Sequence, residues 1–214
     1  MTAGAADWPA DTQPADEESC RILRSRIDLS RLPPLSRGVT ERVIGASADF
    51  DYATDLVCDE AALAAASAAL AAGAPVVVDV TMVAAGITGY PVICKSEEPL
   101  TGRLARTAAI ARAAAAVRLA FGQAGPGAIW VVGREPAALE EIIARDVQPS
   151  FVIGLPVGFA GAAEAKDALR ASGLPSLTNG SEKGGAAVAA AAATALLRAA
   201  ANQAAASPAR TQTS

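Results

Sequence analysis

The chain of 214 residues contains no histidine, and that absence closes off a good deal of chemistry. There is no imidazole to serve as general base for a nucleophile or to complete a metal-ligand set. The three cysteines, Cys20, Cys58 and Cys94, stand far apart without a CxxC pair. Neither a structural zinc site nor a disulfide framework is therefore expected, and all three read as reduced and packed. Aromatic residues are only 4% of the chain, and the net charge is −4. Nucleic acid needs a basic face and stacking rings, so that class of partner is set aside. Long, strongly hydrophobic runs are missing too. The apolar stretches at residues 61–72 and 186–197 are mostly alanine, too weakly hydrophobic to enter a bilayer and better read as packed helices. The opening MTAGAADWPADTQPADEE lacks the basic and leucine-rich regions of a secretory signal, so a cytoplasmic location is expected.

What is present is a chain 52% hydrophobic, enough for one full core. Residues 1–15, rich in Asp, Pro, Ala and Thr, read as a disordered lead-in, 16–199 as a single domain, and 200–214 as a disordered tail. A first helix runs through Ile22 and Leu23 and stops at Leu32-Pro33-Pro34-Leu35. A second is expected over 38–44 with Ser36 as its cap, and a third, capped by Asp59, ends at Gly73. Short apolar runs then follow at 76–80, 92–94, 129–132, 151–153 and 176–178, mostly separated by helical patterns of ten residues or more. Crossovers of that length imply a largely parallel sheet covered on both faces. The expected fold class is α/β, a flavodoxin-like three-layer sandwich preceded by N-terminal helices. In such sheets ligands sit beyond the carboxyl ends of the strands, which singles out the loops at 79–86, 95–101, 133–137 and 154–161.

The last of these loops begins FVIGLPVGFAGAAEAKDAL, residues 151–169. Closely spaced Gly154, Gly158 and Gly161, with Pro156 fixing φ, lead into a helix carrying Glu164, Lys166 and Asp167. Such a loop lets backbone approach a planar or anionic group, although two glycines also suit an ordinary tight turn.

This segment resembles the signature loop of the precorrin-8X methylmutases, a cobalamin-pathway family. Four more segments are similar to the same family: ESCRILRSRID (18–28), ERVIGASADFDYA (41–53), GAPVVVDVTMVAAGI (73–87) and IARAAAAVRLA (110–120). The resemblance implies an isomerase that moves a methyl group from ring carbon 11 to ring carbon 12 of a tetrapyrrole. It also implies a homodimer and no dissociable cofactor, because the macrocycle supplies its own conjugation, with either precorrin-8X or its cobalt-containing equivalent as the substrate. The competing readings are a noncatalytic tetrapyrrole-binding protein and a domain for an unrelated phosphate ligand. Neither GxxxxGK[ST] nor GxGxxG is present to favour the last.

The resemblance assigns substrate contacts to Ser19, Arg112 and, more loosely, Lys183 within SEKGG, with Gly158 in the signature loop. Arg24 and Arg42 suit the carboxylates on the rim of a tetrapyrrole, and equally suit pairing with Glu18, Glu41 or Asp28 nearby in sequence. Asp79 ends an apolar strand and is expected to cap the turn from Thr81 while shaping the site. Arg112 is read in mid-helix among alanines; Arg106 and Arg118 are read as solvated or dipole-related. In the family a histidine, the general acid, occupies the place of Gly45. Three outcomes follow from its loss: Asp49, Asp51 or Tyr52 substitutes, the reaction runs on positioning alone, or the chain only binds.

Overall fold

The structure is a computed structural model that describes residues 14–206; most of the expected lead-in and the end of the expected tail lie outside the described residues. Helices α1 (Pro14–Arg26), α2 (Pro34–Ser47) and α3 (Tyr52–Asp55) precede strand β1 (Leu56–Cys58) and helix α4 (Glu60–Ala71). Alternation then sets in: β2 (Val76–Val78), α5 (Thr81–Gly86), β3 (Val92–Cys94), α6 (Pro99–Ala108), α7 (Arg112–Ala124) and β4 (Ile129–Val132). The chain closes with α8 (Pro136–Ala144), β5 (Phe151–Gly154), α9 (Ala162–Ala171), β6 (Ser176–Asn179) and α10 (Ala186–Ala206). The strands form one sheet in the order β1-β6-β5-β4-β2-β3, parallel except where β1 meets β6.

Side-chain alternation divides the core into two. Val76, Val78, Ile129, Val131, Phe151, Ile153 and Leu177 face the layer built by α2, α4, α5 and α10. Val77, Trp130, Val132 and Val152 face the opposite layer, with Val117, Leu139, Ile142 and Leu169 from α7, α8 and α9. Both faces of β2, β4 and β5 are thereby buried, which is why their sequences read as continuous apolar runs.

Several local expectations change. Strand β1, only three residues long, was not anticipated. Ser36 does not cap α2, which starts two residues earlier behind Pro33. The cap comes from α4 instead: the Glu60 carboxylate accepts from Leu35 N (2.8 Å), Ser36 N (2.9 Å) and Ser36 Oγ (2.7 Å). These bonds outweigh burial and hold the Glu60 carboxyl below its ordinary range. Asp59 caps α4 as expected, accepting from Ala62 N at 2.9 Å. Helix α10 continues past Ala199 to Ala206, so the first part of the expected tail is helical. Among the described residues no helix is long and apolar enough to cross a membrane.

Asp79 is the other correction. It does not cap α5, whose N-cap is Val80. Its buried carboxylate reaches across to the loop after β4 and accepts from Gly133 N (3.1 Å), Arg134 N (2.8 Å) and Glu135 N (3.0 Å). Burial nevertheless pushes the Asp79 carboxyl above its ordinary range, because the amide bonds return only part of the desolvation cost. Asp79→Ala would leave these amides without an acceptor, and a loss of roughly 2–4 kcal/mol in urea unfolding is expected. Stability unchanged within about 0.5 kcal/mol would contradict this role.

Candidate functional site

Alanine fills almost all of α10, and methyl-sized side chains let other helices come close without filling the space between them. Gly86 at the end of α5 shows how close: a Cβ there would stand 2.6 Å from the Cβ of Ala190, so only glycine fits. Where α1 and α2 cross the same helix, a cavity of about 690 Å³ remains. That volume falls within the range of roughly 300–1,000 Å³ usual for small-molecule sites. Ser19 and Leu23 of α1 form one side, Gly38, Glu41, Arg42 and Gly45 of α2 another, and Ala187 to Asn202 of α10 the third.

Polar groups reach this cavity from all three helices. Glu41 accepts a bidentate pair from Arg24, at 2.8 and 2.7 Å, which orients the carboxylate at the cavity wall. Arg24 remains mostly exposed, so the pair adds little stability. Arg42, Thr194 and Arg198 also line the cavity. Gly45 stands in the last turn of α2, before the left-handed cap at Ala48. A Cβ placed on Gly45 meets no atom within 4 Å, so a side chain at this position has open space beside the cavity it lines.

Beyond Gly45 the chain enters a polar knot. Lys183 donates to Asp49 (2.7 Å) and Asp51 (2.5 Å), which raises the ammonium's pKa. Hydrogen bonds from Lys183 and from the Asp51 amide hold the Asp49 carboxyl below its usual range. Asp55 accepts from Asn179 Nδ2 (2.8 Å), Ser181 Oγ (2.6 Å) and Gly180 N (2.9 Å). Burial alone would raise the Asp55 carboxyl, but these bonds prevail and lower it. Tyr52 is buried, and desolvation, helped by the Asp49 and Asp55 charges, pushes its hydroxyl up to about 12. Beneath the knot lies Lys166, a fully buried lysine. It had been legible only as a charge on an amphipathic helix.

The remaining sequence candidates lie outside this cavity. Arg112 is the first residue of α7, not the middle of a long helix, because Ala109 turns left-handed between α6 and α7. Its Nε donates to the Ser96 carbonyl at 2.8 Å, beyond the end of β3. Arg118, read as solvated, instead pairs with Glu141 of α8 at 2.7 Å. Gly158, at φ 147°, donates its N–H to the Glu182 carbonyl at 3.1 Å. The loop at 154–161 therefore packs on the segment before α10 and does not line this cavity. At Gly184, φ is 149° and a Cβ would lie 2.3 Å from the Leu155 carbonyl oxygen, so glycine is required for this closure. Ser19, Arg42 and Gly45 do come together, with Arg24 reaching the same wall through Glu41. The contribution of α10 was missed because an alanine run advertises packing and not a pocket.

The sequence profile of the precorrin-8X methylmutases matches residues 15–199. The chain belongs to the precorrin-8X methylmutase family. It is 38% identical over 152 residues to the cobalt-precorrin-8 methylmutase of Methanocaldococcus jannaschii, a match covering 69% of this chain and 72% of that one. The cobalt-precorrin-8 methylmutase of Salmonella typhimurium is 36% identical over 171 residues, 77% of this chain and 81% of its own. The solved precorrin-8X methylmutase of Thermus thermophilus superposes with a TM-score of 0.80 at 34% identity, over 89% of this chain and 97% of that one. Family membership places the chain among isomerases of cobalamin biosynthesis. In this methylmutase-family chain, then, the three candidates Ser19, Arg42 and Gly45 converge on one cavity.

Proposed function

We propose that the cavity between α1, α2 and α10 binds a tetrapyrrole of the precorrin-8X class, and that the protein promotes a methyl shift on it without a side-chain acid at position 45. The observation that carries this reading is the convergence of Ser19, Arg42 and Gly45 on one cavity of suitable size. In the reaction, the bond from the methyl group to ring carbon 11 breaks as the bond to ring carbon 12 forms. Nothing is oxidised or reduced, and no second reactant is consumed. The alanine wall of α10 accepts the flat macrocycle, while Arg42 and Arg198 suit its peripheral carboxylates. Holding the ring in a reactive geometry is then the protein's main contribution.

Candidates for a substitute acid are poorly placed. Asp49 is held ionised by Lys183, Asp51 is bound to the same ammonium, and Tyr52 is buried with a pKa near 12. None of the three lines the cavity. This favours slow catalysis by positioning, and it equally supports the second reading of a tetrapyrrole carrier without turnover. The resemblance also carries a homodimer, supported by the exposed apolar side chains of Met82 in α5 and of Val157 and Phe159 in the loop after β5, the last 98% exposed. Sedimentation should give twice the 21.3 kDa chain mass; a single-chain mass at micromolar concentration contradicts the dimer.

Turnover of precorrin-8X decides between the readings. Gly45→His is expected to raise the methyl-shift rate by ~100-fold or more, the usual worth of a positioned acid. Exogenous imidazole, which the open space beside Gly45 admits, should stimulate the unmodified protein and not Gly45→His. Tight corrin binding with no turnover in either protein selects the carrier reading, and no corrin binding at all overturns both.

A further inference from the structure

We infer that Lys166 is a positioning residue for this cavity: its buried ammonium anchors the segment that joins the Gly45 end of α2 to the start of α10. The inference rests on the tetrapyrrole reading of the cavity. An uncharged side chain of similar length would be easier to bury, since an ammonium without water needs a full set of acceptors. Lys166, on α9, has that set. Its Nζ donates to Asn179 Oδ1 (2.8 Å), the Lys183 carbonyl (2.9 Å) and the Ser181 carbonyl. Asn179 is the last residue of β6, and the other two acceptors belong to the turn that follows it.

Each side of the turn leads to a cavity wall. The Lys183 side chain binds Asp49 and Asp51, just beyond Gly45. On the other side, Gly185 N donates to the Leu155 carbonyl at 2.8 Å, and α10 follows, its second residue Ala187 lining the cavity. Displacing the turn therefore moves the Gly45 side relative to the α10 side without touching the ligand. The charged groups facing the ammonium are Asp55 of α3, Arg170 of α9 and Glu182 of the turn.

The pH dependence has a distinctive sign. Desolvation chiefly, with Arg170 opposing and Asp55 and Glu182 supporting the charge, lowers the Lys166 pKa from 10.5 to about 8. Above that value the folded protein has shed a proton the unfolded chain keeps, so this group's contribution to stability rises with pH between about 8 and 10.5. The neutral amine, however, has only two hydrogens for three acceptors, so the turn loosens over the same interval. A purely structural lysine would show both effects without changing corrin affinity.

The test uses hydrogenobyrinic acid as the probe, with Cys20→Ser in every protein because the Cys20 thiol also lines the cavity. Between pH 7 and pH 9 the otherwise unmodified protein should lose corrin affinity by about tenfold, with no fall in Tm. Amide exchange at 180–185, corrected for its intrinsic base dependence, should accelerate in parallel. Lys166→Met should bind weakly at pH 7 and show no such dependence. Should that variant not fold, the exchange and affinity profiles of the Lys166 protein decide. Affinity and exchange that ignore pH, or a Lys166→Met protein that binds like its parent, overturn the inference and leave the proposed function standing. No corrin binding by the parent at any pH overturns the tetrapyrrole reading and the inference with it.

Discussion

Every wall of the cavity depends on how near other helices come to α10, and that distance is set by methyl groups. Ala189, Ala192 and Ala193 seat the helix on the sheet, while Ala187, Ala190 and Ala191 line the cavity on its other side. A leucine at the lining positions would bury more apolar area and add stability by the usual area rule. It would also fill the space. The choice of alanine, with Gly86 in contact at Ala190, therefore sacrifices core volume and keeps the cavity open.

The polar knot solves the complementary problem of holding that opening in register. Helices packed through methyl groups have few interlocking side chains to fix their relative positions. Here the fixing comes from charge and hydrogen bonds at one end: Asp55 and Lys166 from below, Lys183 to Asp49 and Asp51 from the side. Asp79 does the same for the loop after β4. The carboxyl edge of the sheet is thus stiffened by hydrogen-bonded charges, Lys166 and Asp79 buried and the Lys183 pairs part-exposed, and the cavity lies in the helical layer beside it.

How much of this could be read in the chain depends on the range of the interaction. The runs VVV, IWVV and FVIG announced central parallel strands because burial on both faces leaves no polar alternation. Asp59 announced its cap because the partner amide is three residues away. Glu60 capping α2 was hidden by a separation of 24 to 25 residues, and β1 by its brevity and its antiparallel pairing with a strand more than 100 positions later. Resemblance singled out Ser19 and Gly45, and charge chemistry singled out Arg42; the fold brings all three to one cavity. Arg112, Gly158, Lys183 and Asp79 lie outside the cavity, each engaged with backbone or ion-pair partners that no local pattern could reveal.

The central claim is one of place: the tetrapyrrole lies between α1, α2 and α10, against the alanine wall and beside Gly45. A crystal structure with a bound corrin tests it most directly. The account predicts the macrocycle over Ala187, Ala190 and Ala191 with carboxylates near Arg42 and Arg198. A corrin seated instead on the glycine loop at 154–161, with the cavity beside Gly45 filled only by water, would contradict it.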